Sequence, residues 1–168
     1  MDTDLTADFL KEIIEYLPET GLFYWREKRG RKQQTMPAGY KNAYGYIVIG
    51  INGKRIGAHR LAWLYMHGSH ASENIDHVNG KPDDNRIENL RSCSHAQNQK
   101  NMKRHHDCQS GFKGVYSATD GRTWFSQIFS DGHSYYLGSF TTKEQAATAY
   151  DQAALRLHGD YAQINEVI

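Results

Sequence analysis

The sequence is poor in the features that define disulfide-rich, cysteine-zinc and membrane proteins. Its 168 residues include two cysteines, Cys93 and Cys108, and three prolines. The two cysteines form no C-x-x-C pair, so we expect neither a disulfide framework nor a cysteine-ligated zinc site. No apolar run approaches the ~20 residues that cross a bilayer, and the N-terminus lacks the basic-then-apolar layout of a signal peptide. We therefore expect a soluble, intracellular chain with reduced thiols and no membrane partner.

Net charge is also almost absent, at +1. A strongly basic balance, which is usual in nucleic-acid-binding domains, is missing. The charge is nevertheless unevenly spread: bases are in excess up to Gln109, and acids outnumber bases from Gly111 onward. A basic loop follows a short strand, and its Arg29 and Arg31 are candidate phosphate contacts, although a solvated surface loop explains them equally simply.

What is present indicates two compact modules with short strands and tight turns, since 39% of the residues are hydrophobic and 15 are glycine. In the first module, the spacing of apolar residues predicts a helix over 5–17 closed by Pro18, and a second helix over 58–67 ended by Gly68. Asn52-Gly53 predicts a type I′ hairpin turn. Strands at 75–78 and 87–90 and a helix beginning at Ser94 complete this module.

A polar, histidine-rich stretch then predicts a linker over 103–110. Beyond it, three strands at about 112–117, 123–130 and 133–140 are joined by turns at Asp120-Gly121 and Asp131-Gly132. Thr141 and Thr142, followed by Glu144 and Gln145, start a helix with an alanine-rich face. The predicted class is α+β, with modules over 1–102 and 111–168.

The residues between 75 and 101 carry a chemical pattern. Ile75-Asp76-His77-Val78-Asn79-Gly80 is followed by Asp84-Asn85-Arg86 and Glu88-Asn89-Leu90, and then by a helix bearing Asn98. A carboxylate, an imidazole and a carboxamide thus fall in one small hairpin-plus-helix unit. Hydrolysis of a phosphodiester needs a base that activates water and a cation that stabilises the departing oxygen, and this set supplies both requirements.

This stretch resembles the HNH homing and phage endonucleases, which have the ββα-metal fold. The resemblance implies that His77 is the general base and that Asp76 and Asn98 hold one divalent cation, Mg²⁺ or Mn²⁺. It implies that Asn85 or Asn89 is the central asparagine of the motif, which stiffens the loop, and both alternatives stay open. Asn98 stands where many relatives have a final histidine, which predicts modest metal affinity.

His59 lies in the stretch Ala58-His59-Arg60-Leu61-Ala62-Trp63, which also recurs upstream of the motif in similar phage proteins. Its simplest interpretation is a packed or cap-bonding histidine, and its functional interpretation is a residue that supports the metal site. The other histidines, at 67, 70, 95, 105 and 106, are expected at the surface or in the linker.

The second module resembles the APETALA-type DNA-binding domain of plant ethylene-response factors. The likeness rests on Gly111-Phe112-Lys113-Gly114-Val115, Trp124, Tyr136-Leu137-Gly138-Ser139-Phe140 and the motifs of the final helix. It implies a three-stranded sheet that lies in the major groove, with Lys113, Tyr116, Arg122 and Trp124 on or near the contact face. Tyr116 and Phe129 stand where the plant domains have arginines, and Trp124 is equally explained as a core residue.

The sequence therefore predicts a metal-dependent endonuclease that acts on double-stranded DNA. The resemblance to phage proteins implies that it is encoded by a phage or prophage and acts in the cytoplasm of a bacterial host. The first alternative is a DNA-binding regulator with an inactive nuclease module, and the second, less favoured, is an RNA-processing or structural protein. The target sequence, one-strand or two-strand cutting, the choice between monomer and homodimer, and the biological role stay open.

Overall fold

The structure is a computed structural model, and it describes residues 5–27, 36–100, 109–119 and 121–165. The chain divides into two compact units, residues 1–95 and 96–168. The predicted linker over 103–110 lies mostly outside the described residues, so the module boundaries stay predictions. Helices and small antiparallel sheets alternate along the chain, which agrees with the α+β class. Within the described residues, no helix has the length and apolar content needed to cross a membrane.

In the part of the first unit that the structure describes, there are two helices and seven short strands. They are α1 (Ala7–Ile13), β1 (Ile14–Leu17), β2 (Leu22–Trp25), β3 (Tyr40–Lys41), β4 (Ile47–Ile51), β5 (Lys54–Gly57), α2 (Ala58–His67), β6 (Asn74–His77) and β7 (Leu90–Cys93). The strands form three antiparallel sheets, β1-β2, β3-β4-β5 and β6-β7. The turn between β4 and β5 has φ of 49° at Asn52 and 76° at Gly53, which confirms the type I′ hairpin.

Two of the expected boundaries in this unit are wrong. Helix α1, capped by Thr6, ends at Ile13, and the next four residues form β1 instead of a last helical turn. In β1 the side chain of Tyr16 is buried and that of Leu17 is 36% exposed, the reverse of the helical expectation. Apolar spacing over so few residues fits periods of both 3.6 and 2, and the pairing of β1 with β2 decides between them.

The second correction concerns the partner of β6. Residues Ile87–Asn89 form a 3₁₀ turn, and the strand that pairs with β6 begins only at Leu90. The chain from 78 to 89 is therefore one long loop, which includes the first three residues of the expected second strand. This loop, called the 78–89 loop below, carries most of the asparagines of the motif.

The core of the first unit lies between α1, α2 and the first two sheets. Its fully buried side chains include Leu10, Ile14, Phe23, Ile49 and Leu61. Burying side chains of this size stabilises a fold by about 1.5–3 kcal/mol each. The β6-β7 hairpin joins this core through Ile75 and Leu90, so both of its strands are anchored in the same apolar cluster.

The second unit begins inside a short helix, α3 (His95–Lys100), whose first residue belongs to the first unit. It also contains β8 (Val115–Ser117), β9 (Trp124–Ser130), β10 (His133–Phe140) and α4 (Lys143–His158). The three strands form one antiparallel sheet in the order β10-β9-β8, and α4 packs across it. Four alanines of α4 are buried there, at 146, 147, 153 and 154, and their small size lets the helix approach the sheet closely.

The sequence signals at both ends of β10 are confirmed. Asp131 and Gly132 have φ of 50° and 83°, as a type I′ turn requires. Thr142 caps α4, because its hydroxyl accepts a hydrogen bond from the Gln145 amide at 3.2 Å. The first strand starts at Val115 instead of residue 112.

Candidate active site and candidate DNA-binding sheet

Strand β6 ends with two buried polar side chains, Asp76 and His77. In the antiparallel register Asp76 lies opposite Arg91 of β7, and directly opposed residues project from the same face. The Arg91 guanidinium donates to Asp76 Oδ2 from Nε at 2.9 Å and from Nη2 at 2.8 Å. This pairing compensates a carboxylate that would otherwise be costly to bury.

The tautomer of His77 follows from its contact with Asn85, a side chain that is only 1% exposed. Asn85 Nδ2 donates to the carbonyl oxygen of Asp83 at 3.2 Å, which turns its Oδ1 toward His77 Nε2 at 3.4 Å. An amide oxygen only accepts, so Nε2 carries the hydrogen and the lone pair is at Nδ1. Burial lowers the pKa of His77, although Asn85 and neighbouring aspartates oppose this shift. A neutral imidazole of this kind is suited to accept a proton.

Asn89 makes a different set of contacts, all of them within the 78–89 loop. Its Oδ1 accepts from the amide of Asn79 at 3.0 Å, and its Nδ2 donates to the carbonyl oxygen of Asp84 at 2.8 Å and to Asn79 Oδ1 at 3.1 Å. These bonds tie the two ends of the loop together. Asn89 therefore holds the backbone, whereas Asn85 contacts the histidine.

The 78–89 loop is also supported from the β1-β2 hairpin. The buried Tyr16 hydroxyl donates to the carbonyl oxygen of Asn85 at 2.7 Å, and burial raises the pKa of this phenol. Gly21, with φ of 72°, lies so close that a Cβ there would be 2.5 Å from the backbone of Asn85 and Arg86. The position of Asn85 is thus fixed by a segment more than 60 residues earlier in the chain.

Asp84 and Arg86 form an ion pair within the same loop. Arg86 Nε donates to Asp84 Oδ1 at 2.9 Å, and Arg86 Nη2 donates to Asp84 Oδ2 at 2.8 Å. These hydrogen bonds from Arg86 lower the pKa of Asp84 to about 2. Asp84 is therefore ionised and engaged within the loop, which makes it a structural residue of the motif.

Three rings meet at the end of β6: those of Tyr46, His59 and His77. The centroids of His59 and His77 are 5.3 Å apart, and Tyr46 lies 5.5 Å from His59 and 5.9 Å from His77. Burial, together with the nearby His77 and Arg60, lowers the pKa of His59 to about 3. Both histidines are therefore neutral near pH 7, and His59 adds no positive charge beside His77.

For the other residues expected at this site, the structure does not establish a contact with Asp76 or His77. Asn98 lies on α3 in the second unit, so its role beside Asp76 stays a prediction. Arg29 and Arg31 lie outside the described residues. Sequence reasoning missed Arg91 and Tyr46, because a cross-strand register and a contact from the residue that precedes β4 have no local signal in the sequence.

The outer face of the sheet in the second unit is aromatic. Tyr116 of β8 stacks on Phe125 of β9 with centroids 5.3 Å apart, and Phe125 lies 6.4 Å from Tyr136 of β10. Phe129 and Tyr136 are each 65% exposed, and Tyr116 is 43% exposed. We call these four side chains the aromatic face. It runs across all three strands on the side opposite the buried Val115 and Ile128.

The remaining predicted DNA contacts divide into exposed and packed side chains. Arg122 is exposed, whereas Trp124 packs beside Val115, Ala146 and Ala147, in agreement with the core interpretation. Burial lowers the pKa of Lys113 to about 8. The backbone of Lys113 is held by Asn165, whose Oδ1 accepts from the Lys113 amide at 2.6 Å and whose Nδ2 donates to its carbonyl oxygen at 3.2 Å.

Comparisons with known proteins find similarity of two kinds. Residues 57–100 match the family model described as HNH endonuclease. Protein 3.8 of Escherichia phage T7 is 29% identical over 89 residues, which cover 53% of this chain and 73% of that protein. No solved structure gives a significant match.

Plant proteins are similar to a shorter part of the chain. The AP2-like ethylene-responsive transcription factor TOE2 of Arabidopsis thaliana is 42% identical over 59 residues, which cover 35% of this chain. The APETALA2-like protein 2 of Oryza sativa subsp. japonica is 41% identical over 56 residues, which cover 33% of this chain. The matched segments amount to only 12% and 13% of these two plant relatives.

Proposed function

We propose that this protein is a DNA endonuclease of the HNH kind, with His77 as general base and with a second unit that binds double-stranded DNA. The observation that carries the proposal is a neutral His77, held by Asn85, which directly follows the buried carboxylate of Asp76 in β6, within the stretch that matches the HNH endonuclease model. A fixed base beside an acidic group is the minimum needed to activate water against a phosphodiester.

In the proposed reaction His77 accepts a proton at Nδ1 from the attacking water. Asn85 holds the imidazole in the required tautomer, and Asn89 keeps the loop that carries Asn85 in place. Because burial lowers the pKa of His77, its neutral form persists to lower pH than in an exposed histidine. Base catalysis of this kind typically contributes about 10²–10⁴-fold to a rate.

The residues present fit one hard divalent cation. Asp76 supplies a carboxylate and Asn98 an amide oxygen, the ligand types that Mg²⁺ and Mn²⁺ prefer. Among the described residues, no group of three or more His, Cys, Asp and Glu side chains is arranged to hold a metal. Two oxygen ligands of this kind suit Mg²⁺, which keeps several waters and binds through one or two protein ligands plus substrate phosphates. When bound, the cation supplies charge stabilisation at the leaving oxygen.

For the second unit, the proposed DNA contact surface is the aromatic face together with the exposed Arg122. A small antiparallel sheet fits the major groove, and aromatic rings make apolar contact with thymine methyl groups. Arginines are lacking at Tyr116 and Phe129, so recognition there relies on apolar contact rather than on bidentate hydrogen bonds to guanine. Arg29 and Arg31 are proposed as phosphate contacts that hold the duplex without reading its sequence.

A plasmid assay tests the nuclease proposal. Supercoiled DNA is incubated with the full chain and Mg²⁺ or Mn²⁺, and nicked and linear products are followed. We expect cutting that is lost with EDTA and reduced at least ~10²-fold in His77→Ala, because the general base is removed. His67→Ala is the matched control, since His67 is an exposed histidine of the same unit. Equal cutting by His77→Ala and the wild type would refute the assignment.

The second candidate is a DNA-binding regulator without nuclease activity. The similarity to plant proteins named as transcription factors favours it. It predicts binding of duplex DNA in EDTA and no metal-dependent product, either on plasmid or on the DNA that flanks the gene.

A further inference from the structure

His59 is a histidine whose surroundings are unusual for a packing residue. It is the second residue of α2, and its Nδ1 is buried with no hydrogen-bond partner among the described residues. A buried polar atom without a partner destabilises a fold by about 1–3 kcal/mol, and an apolar ring would avoid that penalty. Since a histidine occupies this position despite the penalty, we infer that its other nitrogen has a function.

The ring of His59 also lies in a space that Gly57 leaves open. A Cβ at position 57 would lie 2.6 Å from His59 Cε1, 3.0 Å from Nδ1 and 3.3 Å from Nε2. Gly57 itself has φ of −64° and ψ of 135°, a conformation open to every residue. Backbone conformation therefore does not require glycine here, and the missing side chain accommodates the imidazole.

The protonation pattern of His59 follows from these contacts. Burial, which lowers its pKa to about 3, keeps the ring neutral near pH 7, so it carries one N–H. Placing that hydrogen on the buried Nδ1 would leave a donor without an acceptor, which is worse than an unused lone pair. The hydrogen is therefore on Nε2. Unlike Nδ1, Nε2 is not among the buried atoms that lack a hydrogen-bond partner in the described part of the chain.

The distance between the His59 and His77 rings is comparable with the distance expected between His77 and the reacting phosphate. A base lies about 2.6–3.2 Å from the water it activates, and that water lies about 3–3.5 Å from the atom it attacks. Oxygens of the attacked phosphate are thus about 5–7 Å from His77 by the same reasoning. The His59 ring centroid is 5.3 Å from that of His77, and the two rings are inclined at 69°, so they meet edge to face rather than stacking face to face.

We propose that His59 is a second catalytic residue, whose neutral Nε2–H donates a hydrogen bond to a non-bridging oxygen of the phosphate on which His77 acts. This inference rests on the proposed nuclease function and adds a residue to it. A neutral donor stabilises the charge that develops on the phosphate oxygens and does not shift the protonation equilibrium of the adjacent base. Tyr46 and Gly57 fix the ring from two sides.

The decisive test compares three substitutions that differ in where they place a donor. The side-chain amide of His59→Gln brings its Nε2 near the position of the histidine Nε2, whereas the shorter amide of His59→Asn reaches only that of Nδ1. His59→Phe keeps a ring and removes both nitrogens. In single-turnover plasmid cutting with Mg²⁺, we expect losses of about 10²-fold for Phe and Asn, the usual effect of removing one such donor, and near wild-type rates for Gln. Wild-type cutting by His59→Phe, or equal losses in all three, would overturn the proposal.

Gly57→Ala supplies a second test that leaves every reacting group chemically unchanged. The added methyl group must displace the His59 ring, so we expect a lower cutting rate with unchanged duplex binding in EDTA. In a His59→Asn background the ring is absent, and Gly57→Ala should then have no further effect. Additive losses in this cycle would contradict the coupling of the two positions.

Imidazole ¹⁵N NMR of the full chain separates this inference from the nuclease proposal, because it needs no cutting. We expect His59 to be neutral with its hydrogen on Nε2 at pH 7, and its Nε2 resonance to shift when a short DNA duplex is added in EDTA. If the wild type fails to cut DNA, the nuclease proposal fails. If it cuts but His59 carries its hydrogen on Nδ1 or does not respond to the duplex, only the present inference fails.

Discussion

The two units of the molecule use their polar residues in opposite ways. In the first, Asp76, His77, Asn85 and Asn89 are buried and bonded to one another or to the hairpin and loop that carry them. In the second, the buried polar groups are mainly serine hydroxyls, at 110, 126 and 130, and the aromatic face is left exposed. Fixed polar groups suit chemistry at one point, and an open aromatic surface suits contact with an extended partner.

The difference extends to what holds each unit together. Burying an amide or an imidazole is unfavourable unless hydrogen bonds replace water, so the 78–89 loop depends on a complete network. The second unit depends instead on the close approach of α4 to its sheet. Mutations that break hydrogen bonds of the 78–89 loop should therefore have different measurable effects from mutations that disturb the packing of α4 on its sheet.

The largest expected effect is the loss of close packing in the second unit. Gly114 has φ of 71°, and a Cβ there would lie 2.1 Å from Tyr150 Cδ2 and 2.6 Å from the Gln127 carbonyl oxygen. We expect Gly114→Ala to lower the free energy of unfolding by about 3 kcal/mol or more, because strain and a clash add. Hydrogen exchange of the full chain should show lost protection in residues 109–165.

Gly132→Ala is the matched control for this prediction. Gly132 has a similar φ of 83°, but a Cβ there would meet nothing within 4 Å among the described residues. It should therefore show only the conformational penalty, about 1–2 kcal/mol. Equal destabilisation by the two substitutions would show that close packing against Tyr150 is not what supports this unit.

The second prediction separates the two asparagines that the sequence left as alternatives. Asn85→Ala removes the group that fixes the tautomer of His77, so we expect cutting to fall about 10- to 100-fold in folded protein. Asn89→Ala breaks the bonds across the 78–89 loop and leaves the Asn79 amide unpaired. It should lower the free energy of unfolding by about 1–3 kcal/mol.

The two variants are compared by single-turnover cutting and by urea unfolding of the same preparations. Because Asn85 is itself buried, the rate is measured below the unfolding transition, where both variants are fully folded. Unchanged cutting by Asn85→Ala would contradict the positioning role of Asn85. The comparison would then favour Asn89 as the asparagine that matters for activity.

Local signals in the sequence were sufficient for elements whose structure is decided locally. Asn52-Gly53 and Asp131-Gly132 predict their turns because few other dipeptides accept two positive φ angles. The N-cap at Thr142 and the C-cap glycine at Gly68 have equally local causes. The sequence also singled out Asp76 and His77, which are both buried, and their roles stay a prediction.

Contacts made over long sequence distances were beyond the same reasoning. Strand β1 is a strand because Ile14 pairs with Trp25, and its own residues fit a helix equally well. Tyr46 contacts the ring of His77 from the position just before β4, and Arg91 meets Asp76 only in one register. The distinct contacts of Asn85 and Asn89 depend on how the 78–89 loop folds back, which no periodicity encodes.

The third prediction concerns acid stability, and its main source is His59. The pKa of His59 is about 3 in the folded state and about 6.5 when unfolded, so between these values the unfolded state binds the extra proton. Stability conferred by the neutral ring is complete above pH 6.5 and is lost as the pH falls toward 3. The expected slope is about 1.4 kcal/mol per pH unit for this one proton. His77 adds a loss in the same direction, since its pKa is also lowered.

Urea unfolding of the full chain at about pH 4.5, 5.5 and 6.5, within the window that the two pKa values define, measures this slope. His59→Phe should flatten it by one proton's share, while His67→Asn, at an exposed position of the same unit, should leave it unchanged. An identical slope in the wild type and His59→Phe would mean that His59 is protonated in the folded state. That result would also remove the neutral donor on which its proposed catalytic role depends.

The smallest expected effect lies on the aromatic face, where a side chain can be removed with little consequence for the fold. Tyr136 is 65% exposed, so Tyr136→Ala should change the free energy of unfolding by no more than about 0.5 kcal/mol. If this face contacts DNA, the same change should weaken duplex binding by roughly 3- to 10-fold in EDTA, as expected for one apolar contact at an interface. Leu155→Ala is the control, because Leu155 is a 57% exposed apolar residue on α4, which packs on the sheet from its other side. Equal affinities for Tyr136→Ala, Leu155→Ala and the wild type would place the DNA contact away from the aromatic face. The aromatic face of the second unit would then not be the counterpart, in DNA binding, of the buried polar site in the first.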